Sequence, residues 1–374
     1  MLIGICGGIC AGKKTVRDFL VKEGFTPLSI AASTPAAAIE KAAPDSHAAE
    51  TPTQVVNGDE GKEDLSFDTA AELLDYATSQ WQSHFVTTSI HSEAVLDTLS
   101  HRPFFILINI DAPISVRWKR FRDKCVSASI PPPSLEHFVC SDDAHLYGPS
   151  KPSTDATRTP CTLASLSSRA QIKLVNPSSS IPALHSSLRA LNLTDPSRLR
   201  PTWDHYFMTL ANLAARRSNC MRRQVGCVLV RENRILSTGY NGTPRNVTNC
   251  NEGGCPRCNN AASHGGGGAA LSTCLCIHAE ENALLEAGRE RINNTTNREN
   301  GTVLYCNTCP CLTCSIKIVQ VGIAEVVFSQ SYYMDDEAAA IFKQAGVKLR
   351  QFKPVREGVV EVGVSDAQVK LDSV

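Results

Sequence analysis

Cysteines are concentrated in one stretch of this chain. Of 16 cysteines in 374 residues, eleven lie between Cys220 and Cys314. A chain of this length needs no disulfide framework to build a core, and residues 1–8 lack the basic and apolar leader of an export signal. We expect the protein in a reducing compartment, which is the cytoplasm or also the nucleus. In such a compartment, clustered cysteines indicate bound metal rather than disulfides. We therefore expect the second half of the chain to fold around bound metal.

Charge and hydropathy disfavour two classes of partner. Lys and Arg number 37, as do Asp and Glu, so the formal net charge is zero. A protein that holds a polynucleotide usually carries a basic excess or a basic stripe. No apolar run approaches the roughly 20 residues that a membrane helix needs. We expect neither a polynucleotide nor a membrane as partner.

Changes in composition divide the chain into four parts. We predict a first α/β domain over 1–122, in which 31–66, rich in Ala, Pro, Thr and Glu, form a flexible insertion. Residues 123–200, rich in Ser and Pro, are expected to be a flexible linker or insertion. A second domain covers 201–356, and 357–374 form a tail. The predicted element order of the second domain, α-β-β-α-β-α-β-α-β, indicates a mixed sheet with helices on both faces.

The second domain contains a metal-ligand motif of specific composition. H-A-E at 278–280 is followed by P-C-L-T-C at 310–314, whose first cysteine lies 33 residues after the histidine. This is the H-x-E…P-C-x-x-C pattern of zinc-dependent nucleobase deaminases. One imidazole and two thiolates suit Zn²⁺ and leave its fourth position to water. Pro310 fits the first turn of a helix, which would place Cys311 and Cys314 on one helix face.

Glu280 is predicted to carry protons rather than to bind the metal. It lies two residues after His278, at the start of a predicted helix. Zinc lowers the pKa of a bound water toward about 7, and a neighbouring carboxylate can take the proton and return it to a leaving nitrogen. The alternative is a closed four-ligand zinc site with a further cysteine, and Cys306 or Cys309 is near enough in sequence. Such a site needs no glutamate.

Five short segments of the second domain fit one family pattern: S-N-C at 218–220, V-G-C at 225–227, G-Y-N-G-T-P at 239–244, H-A-E-E-N-A at 278–283 and C-P-C-L-T-C at 309–314. With them, residues 203–352 resemble the deoxycytidylate (dCMP) deaminases of the cytidine deaminase superfamily. The resemblance implies a three-layer α/β/α fold around a mixed sheet. It also implies hydrolysis of dCMP to dUMP for thymidylate synthesis, activation by dCTP, inhibition by dTTP, and a homo-oligomer, often a hexamer.

The resemblance assigns roles to individual residues. It implies that His278, Cys311 and Cys314 bind a catalytic zinc and that Glu280 shuttles protons. Further positions match substrate or effector contacts, namely Asn241, Gly242, Pro244 and Arg289, and we expect Tyr332, which follows the strand that ends at Ser329, to line the same mouth as Arg289. For the last two, the alternatives are a solvated cation at a helix C-terminus and a packing residue.

Six other cysteines have no place in this motif: Cys220, Cys250, Cys255, Cys258, Cys274 and Cys276. C-P-R-C at 255–258 has the spacing of a zinc knuckle. Some dCMP deaminases carry a second, structural zinc in the matching loop. We therefore expect a second zinc held by Cys255, Cys258 and two of the other four. Buried thiols without a ligand are the alternative.

A glycine-rich loop follows the predicted first strand. G-G-I-C-A-G-K-K-T at 7–15 resembles the phosphate-binding P-loop, with Gly7, Gly12 and Lys13 at matching positions. Lys14 stands where a Ser or Thr would hold Mg²⁺, and Thr15 comes one residue late. Metal–phosphate bridging is weakened without that hydroxyl.

A second segment supports a kinase-like first domain. D-A-P at 111–113, followed by Arg117 and Arg120, resembles the lid-arginine region of nucleotide-monophosphate and dephospho-coenzyme-A kinases. Fungal dCMP deaminases carry such an N-terminal extension. We predict a degenerate P-loop kinase-like α/β domain that is structural or senses nucleotides. The alternatives are an active small kinase and a domain without a nucleotide site.

The motifs specify the chemistry of the second domain better than its substrate. A deaminase of cytidine, cytosine, guanine or a tRNA base is the alternative among enzymes, and the zero net charge disfavours the tRNA base. A non-catalytic regulator that binds zinc and nucleotide is the alternative from another class. Glu280 argues against the regulator, because a structural zinc site has no use for that carboxylate.

Overall fold

The computed structural model describes residues 1–31, 64–148, 162–177, 180–260, 273–292, 301–331, 335–353 and 358–361. The chain forms two compact units, one of Met1–Leu199 with Arg356–Val374 and one of Arg200–Val355. Among the helices of the described ranges, none is both long and apolar enough to cross a bilayer.

The strands in the described ranges are β1 (Leu2–Gly7), β2 (Thr26–Ile30), β3 (Leu65–Phe67), β4 (Phe85–Thr87), β5 (Phe105–Asp111), β6 (Ile172–Val175), β7 (Gly226–Arg231), β8 (Arg234–Tyr240), β9 (Val303–Thr308), β10 (Glu325–Gln330), β11 (Lys348–Gln351) and β12 (Gly358–Glu361). The helices are α1 (Lys13–Lys22), α2 (Ala70–Ser79), α3 (Glu93–Ser100), α4 (Ile114–Ser127), α5 (Leu135–Tyr147), α6 (Leu163–Ser168), α7 (Ile181–Leu191), α8 (Trp203–Ala215), α9 (Pro256–Asn259), α10 (Ala279–Ala287), α11 (Arg289–Ile292), α12 (Leu312–Gln320) and α13 (Asp335–Gln344).

The first unit is built on a parallel sheet with the strand order β12-β6-β5-β1-β4-β2-β3. Alternate side chains of β1 enter two separate cores. Ile3 and Ile5 pack with α1 and α7, whereas Leu2 and Cys6 pack with α2, α3 and α6. Helices therefore cover both faces of the sheet, which explains why every residue of β1 is buried.

The flexible linker predicted for 123–200 is wrong in its described part. This segment continues α4 and forms α5, α6, β6 and α7, and β6 extends the sheet beside β5. Three of the hydroxyl-bearing residues that suggested a linker are helix N-caps. Ser134, Thr162 and Ser180 accept hydrogen bonds from the backbone N–H groups of the first turns of α5, α6 and α7. Leu166 and Leu184 on these helices are buried in the two cores.

Two other predicted boundaries also change. Of the insertion predicted over 31–66, residues 32–63 lie outside the described residues, and Leu65–Phe67 form β3, which pairs with β2. Of the tail predicted over 357–374, Gly358–Glu361 form β12 at the edge of the first unit's sheet, because β6 offers a free edge there. Single-sequence composition does not report such pairing between distant segments.

The second unit contains the predicted mixed sheet, with the strand order β11-β10-β9-β7-β8. β9, β10 and β11 are parallel, and β7 is antiparallel to both of its neighbours. Phe207 and Met208 of α8 pack on one face, and α10, α12 and α13 pack on the other. The resulting α/β/α arrangement confirms the cytidine deaminase-like fold class expected for this half of the chain.

A buried ion pair links α4 to α5 in the first unit. The side chains of Arg117 and Asp142 are 6% and 1% exposed, and the guanidinium donates two hydrogen bonds to the carboxylate. A third hydrogen bond, from Nε to the carbonyl oxygen of Ala112, is 2.8 Å long. Burial opposes the charge of Arg117, but the hydrogen bond and charge of Asp142 raise the pKa of the guanidinium above its ordinary value.

We expect Asp142→Asn to lower the free energy of unfolding by about 3 kcal/mol, because it leaves the buried guanidinium without its counter-charge. Urea denaturation of the full chain measures this change. The matched control is Asp143→Asn, because Asp143 is exposed one residue away, and its effect should stay within about 0.5 kcal/mol. Equal effects of the two substitutions would show that the pair does not stabilise the unit.

Candidate metal and catalytic site

The predicted zinc ligands lie at the starts of two helices. His278 is the N-cap of α10, Cys311 is the N-cap of α12, and Cys314 is in the first turn of α12. The sequence predicts Pro310 in the first turn of this helix, but in the structure Pro310 lies one residue before the N-cap of α12. The positive ends of helix dipoles favour ionised thiols at these positions.

The three ligand atoms are close enough to share one ion. Nδ1 of His278 lies 3.3 Å from Sγ of Cys311 and 3.3 Å from Sγ of Cys314. Zinc at ordinary Zn–N and Zn–S distances in a tetrahedral site requires an N–S separation of about 3.5 Å. One imidazole and two thiols, all within 4.8 Å of one another, therefore fit zinc in both chemistry and spacing.

The protonation of the two thiols is unequal. Hydrogen bonds from Cys314 and His278 lower the pKa of the Cys311 thiol to about 3. The pKa of Cys314 is raised, because Cys314 donates to Cys311 and is buried. One negative charge thus forms readily in this group, and a second requires a cation beside it. A divalent metal ion supplies that charge.

Glu280 is a buried carboxyl group next to these ligands. It is 4% exposed, in the first turn of α10, and burial raises its pKa to about 7. A carboxyl group with a pKa near the working pH can both accept and return a proton. Cys227 and Cys306, paired across β7 and β9, are buried in the core beneath it.

The four-ligand alternative finds no support among the described residues. The ligand atoms that group around His278 belong to Cys311 and Cys314, and neither Cys306 nor Cys309 joins them. The side chain of Cys306 belongs to the hydrophobic core. Three protein ligands leave a fourth position for water or substrate.

The segment 239–244 is tied to the start of α10. A Cβ atom on Gly239 would lie 2.1 Å from the carbonyl oxygen of Ala279, so only glycine lets β8 approach the helix this closely. Further along, Gly242 and Ile277 exchange two backbone hydrogen bonds of 2.8 and 3.2 Å. Because Ile277 directly precedes His278, movement of this segment would displace His278, one of the candidate metal ligands.

Asn241 positions a neighbouring loop. Its side chain is buried, accepts a 2.8 Å hydrogen bond from the backbone N–H of Val225, and donates one of 2.9 Å to the carbonyl oxygen of Arg223. Pro244 is half-buried nearby. The hydroxyl oxygen of Thr243 is buried and has no hydrogen-bond partner among the described residues. Nothing in the sequence singles out Thr243 except its position within 239–244.

One predicted site residue is not brought to the metal ligands. Arg289 is exposed at the far end of α10 from His278, and a nine-residue helix at about 1.5 Å per residue separates them by roughly 13 Å. Its role as a phosphate contact stays a prediction. Tyr332 lies outside the described residues.

The glycine-rich loop of the first unit follows the carboxyl end of β1. Gly12, with a φ of 118°, is the N-cap of α1. Lys13 Nζ donates a 3.0 Å hydrogen bond to the carbonyl oxygen of Gly7. Arg120 donates to the carbonyl oxygens of Cys10 and Ala11. The structure therefore brings the predicted loop residues and one predicted lid arginine together.

Known proteins of one family are similar to this chain. The family model described as "Cytidine and deoxycytidylate deaminase zinc-binding region" matches residues 201–330. A deoxycytidylate deaminase of Schizosaccharomyces pombe is 44% identical over 96% of this chain and 99% of its own length. One of Saccharomyces cerevisiae is 45% identical over 78% of this chain and 88% of its own length. One of Mycobacterium phage D29 is 40% identical over 34% of this chain and 95% of its own length.

We expect Cys311→Ser to bind one zinc ion fewer per chain than the unsubstituted protein, because it removes one of three ligands. Elemental analysis after gel filtration measures the content. Cys140→Ser is the control, because Cys140 is exposed in the first unit. Unchanged zinc in Cys311→Ser would exclude this ligand set.

Proposed function

The chain belongs to the deoxycytidylate deaminase family, and on that premise we propose that it hydrolyses dCMP to dUMP and ammonia with one zinc ion held by His278, Cys311 and Cys314. The observation that carries the proposal is Glu280, a carboxyl group buried beside three metal ligands. A site that only bound a structural ion would gain nothing from burying that group.

The chemistry divides between the metal and the carboxyl group. When bound, zinc supplies Lewis-acid activation of water near neutral pH. Glu280 accepts a proton from the attacking water and delivers it to N3 of the pyrimidine as the C4–O bond forms. It then moves the proton of the new hydroxyl to the leaving amine, and ammonia departs as the C4 carbonyl forms. A pKa of about 7 suits both transfers.

We also propose that 239–244 lies on the nucleotide side of the site and relays dCTP activation and dTTP inhibition. The support for this proposal is that the segment contacts α10 and the residue before His278. Gly239 abuts the helix that carries Glu280, and Gly242 pairs with the residue before His278. A nucleotide bound against this segment could therefore shift the proton carrier and one metal ligand together.

We also propose that the protein forms a homo-oligomer, which the family resemblance implies is a hexamer. Leu285 on α10 and Ile316 on α12 are 68% and 52% exposed, so the helices that carry the site also present apolar side chains to solvent. Exposed apolar surface of this kind suits subunit contacts. Because zinc-binding thiols must stay reduced, we place the enzyme in the cytoplasm or nucleus.

We expect the protein to release ammonia from dCMP in preference to cytidine, cytosine, guanine and tRNA, and to respond to dCTP. Glu280→Gln should retain zinc and lose about 10³-fold in kcat, because proton transfer contributes factors of this order. The measurement is ammonia release with parallel zinc analysis.

The matched control for this prediction is Glu281→Gln. Glu281 is the next residue on α10 and forms a surface ion pair of 2.7 Å with Lys317, which contributes little. Near-native turnover in Glu280→Gln would overturn the mechanism. Preference for another substrate in the panel would overturn the assignment to dCMP.

For the first unit, we propose a degenerate P-loop kinase-like domain. Its support is the parallel sheet in which β1 lies between β4 and β5, with the glycine loop at the carboxyl end of β1. Ligands of open α/β sheets bind at such positions, where successive connections run in opposite directions. Arg117 is expected to be a lid arginine, but in the structure it forms the buried ion pair with Asp142.

We expect weak ATP binding to this unit without phosphoryl transfer, because Lys14 replaces the metal-binding hydroxyl. Calorimetric titration measures the binding, which Lys13→Ala should abolish. Lys22→Ala, at the other end of α1, is the control with the same charge change. Turnover of ATP with a nucleotide or pantetheine acceptor, lost in Lys13→Ala, would contradict this expectation.

A further inference from the structure

Six cysteines of the second unit form one cluster, which we call the thiol cluster: Cys220, Cys250, Cys255, Cys258, Cys274 and Cys276. They come from the segment after α8, from the loop around α9, and from the residues that precede His278. The measured Sγ–Sγ separations are 3.8–4.0 Å, nearly twice the length of a disulfide. The cluster therefore consists of separate thiols that converge on a common centre.

Two tetrads of metal-ligand spacing overlap within the thiol cluster. The first is Cys220, Cys250, Cys258 and Cys276, and the second is Cys255, Cys258, Cys274 and Cys276. Both contain Cys258 and Cys276, whose Sγ atoms are 4.0 Å apart. The sequence predicts one second zinc held by Cys255, Cys258 and two of the other four cysteines. Only the second tetrad contains Cys255, so one ion in that tetrad would leave Cys220 and Cys250 unused.

The separations match those of zinc thiolates. Four sulfur atoms about 2.3 Å from a tetrahedral zinc lie about 3.8 Å from one another. Cys220 to Cys258 is 3.8 Å in the first tetrad. In the second, Cys258 to Cys274 is 3.8 Å and Cys255 to Cys274 is 3.9 Å. Two tetrahedra that share an edge need six ligands, which is the number in the cluster.

We propose that the thiol cluster binds two zinc ions bridged by Cys258 and Cys276, in addition to the zinc at His278. The first ion has Cys220 and Cys250 as terminal ligands, and the second has Cys255 and Cys274. This goes beyond the proposed function, because deamination requires the zinc at His278 alone.

Packing around the thiol cluster supports this assignment. The hydrophobic cluster to which these side chains belong contains cysteines and no other apolar residue among those described. The loop is otherwise held by a short 3₁₀ turn (Cys250–Glu252) and the four-residue helix α9. A region with so little apolar core needs another source of stability, and structural zinc supplies folding free energy directly.

Hydrogen bonds to terminal ligands add a second line of support. The backbone N–H of Met221 donates to Sγ of Cys250 at 3.5 Å. The backbone N–H groups of Cys258 and Leu275 donate to the sulfur of Cys255. Terminal thiolates carry more charge than thiolates shared by two cations, so amide donors are most useful there.

The shared ligands also limit the buried charge. Two zinc ions with six thiolates carry a net charge of −2, whereas two separate four-thiolate sites would carry −4. Arg222 and Arg257 lie in the segments that supply Cys220 and Cys258, and Arg222 Nη2 donates to the carbonyl oxygen of Arg257. Cys276 is joined through Ile277 to His278, so the cluster holds the segment that leads to the catalytic site.

The first test uses the full-length chain, purified under reducing conditions. We expect three zinc ions per chain and, in zinc X-ray absorption, a zinc–zinc distance below about 4 Å, as in two-metal sites. Two ions per chain, or three without a short zinc–zinc distance, would overturn the proposal. Full dCMP deamination with only two ions would overturn it while leaving the proposed function intact.

Substitutions separate bridging from terminal ligands. Cys258→Ser should lower the zinc content from three to one, whereas Cys274→Ser should remove at most one ion. Cys311→Ser should retain the short zinc–zinc distance and lose deamination, and Cys140→Ser should keep three ions. Equal losses in Cys258→Ser and Cys274→Ser would contradict the bridging role. If Cys258→Ser fails to fold, the stoichiometry and distance in the unsubstituted chain still decide the question.

Discussion

The second unit depends on the packing of two helix N-termini against one face of its mixed sheet. α10 begins at His278 and α12 at Cys311, and all three proposed zinc ligands come from these two starts. Gly239 permits the approach, because any side chain there would collide with the carbonyl oxygen of Ala279. A shift of α10 relative to the sheet would therefore move a metal ligand and the proton carrier at once.

Burial of ionisable groups explains both the chemistry of the site and its dependence on metal. A carboxyl group as buried as Glu280 destabilises the fold when it ionises, and the same burial brings its pKa close to 7. The thiols beside it share one negative charge until a cation arrives. The thiol cluster would follow the same principle on a larger scale, since six thiolates in one interior need cations to compensate their charge.

Sequence reasoning succeeded where the signal was local and failed where it was not. The spacing of His278, Cys311 and Cys314 predicted a group that the structure brings together, because each ligand sits at a helix start that its neighbours specify. The predicted linker failed because Ser and Pro serve both loops and helix caps. Thr162 and Ser180 cap helices whose leucines reach the core, and composition alone does not distinguish the two uses.

The sequence by itself predicted the zinc-ligand motif, the proposed proton carrier, the mixed sheet of the second unit and the glycine loop after the first strand. Each of these features is marked by short local patterns: a motif of fixed composition, an alternation of helix and strand signals, or a glycine-rich turn. Only the tertiary structure decided that β12 completes the first unit's sheet and that Cys258 and Cys276 belong to two tetrads. Those outcomes depend on contacts between segments far apart in the chain, which side-chain packing and strand pairing select together.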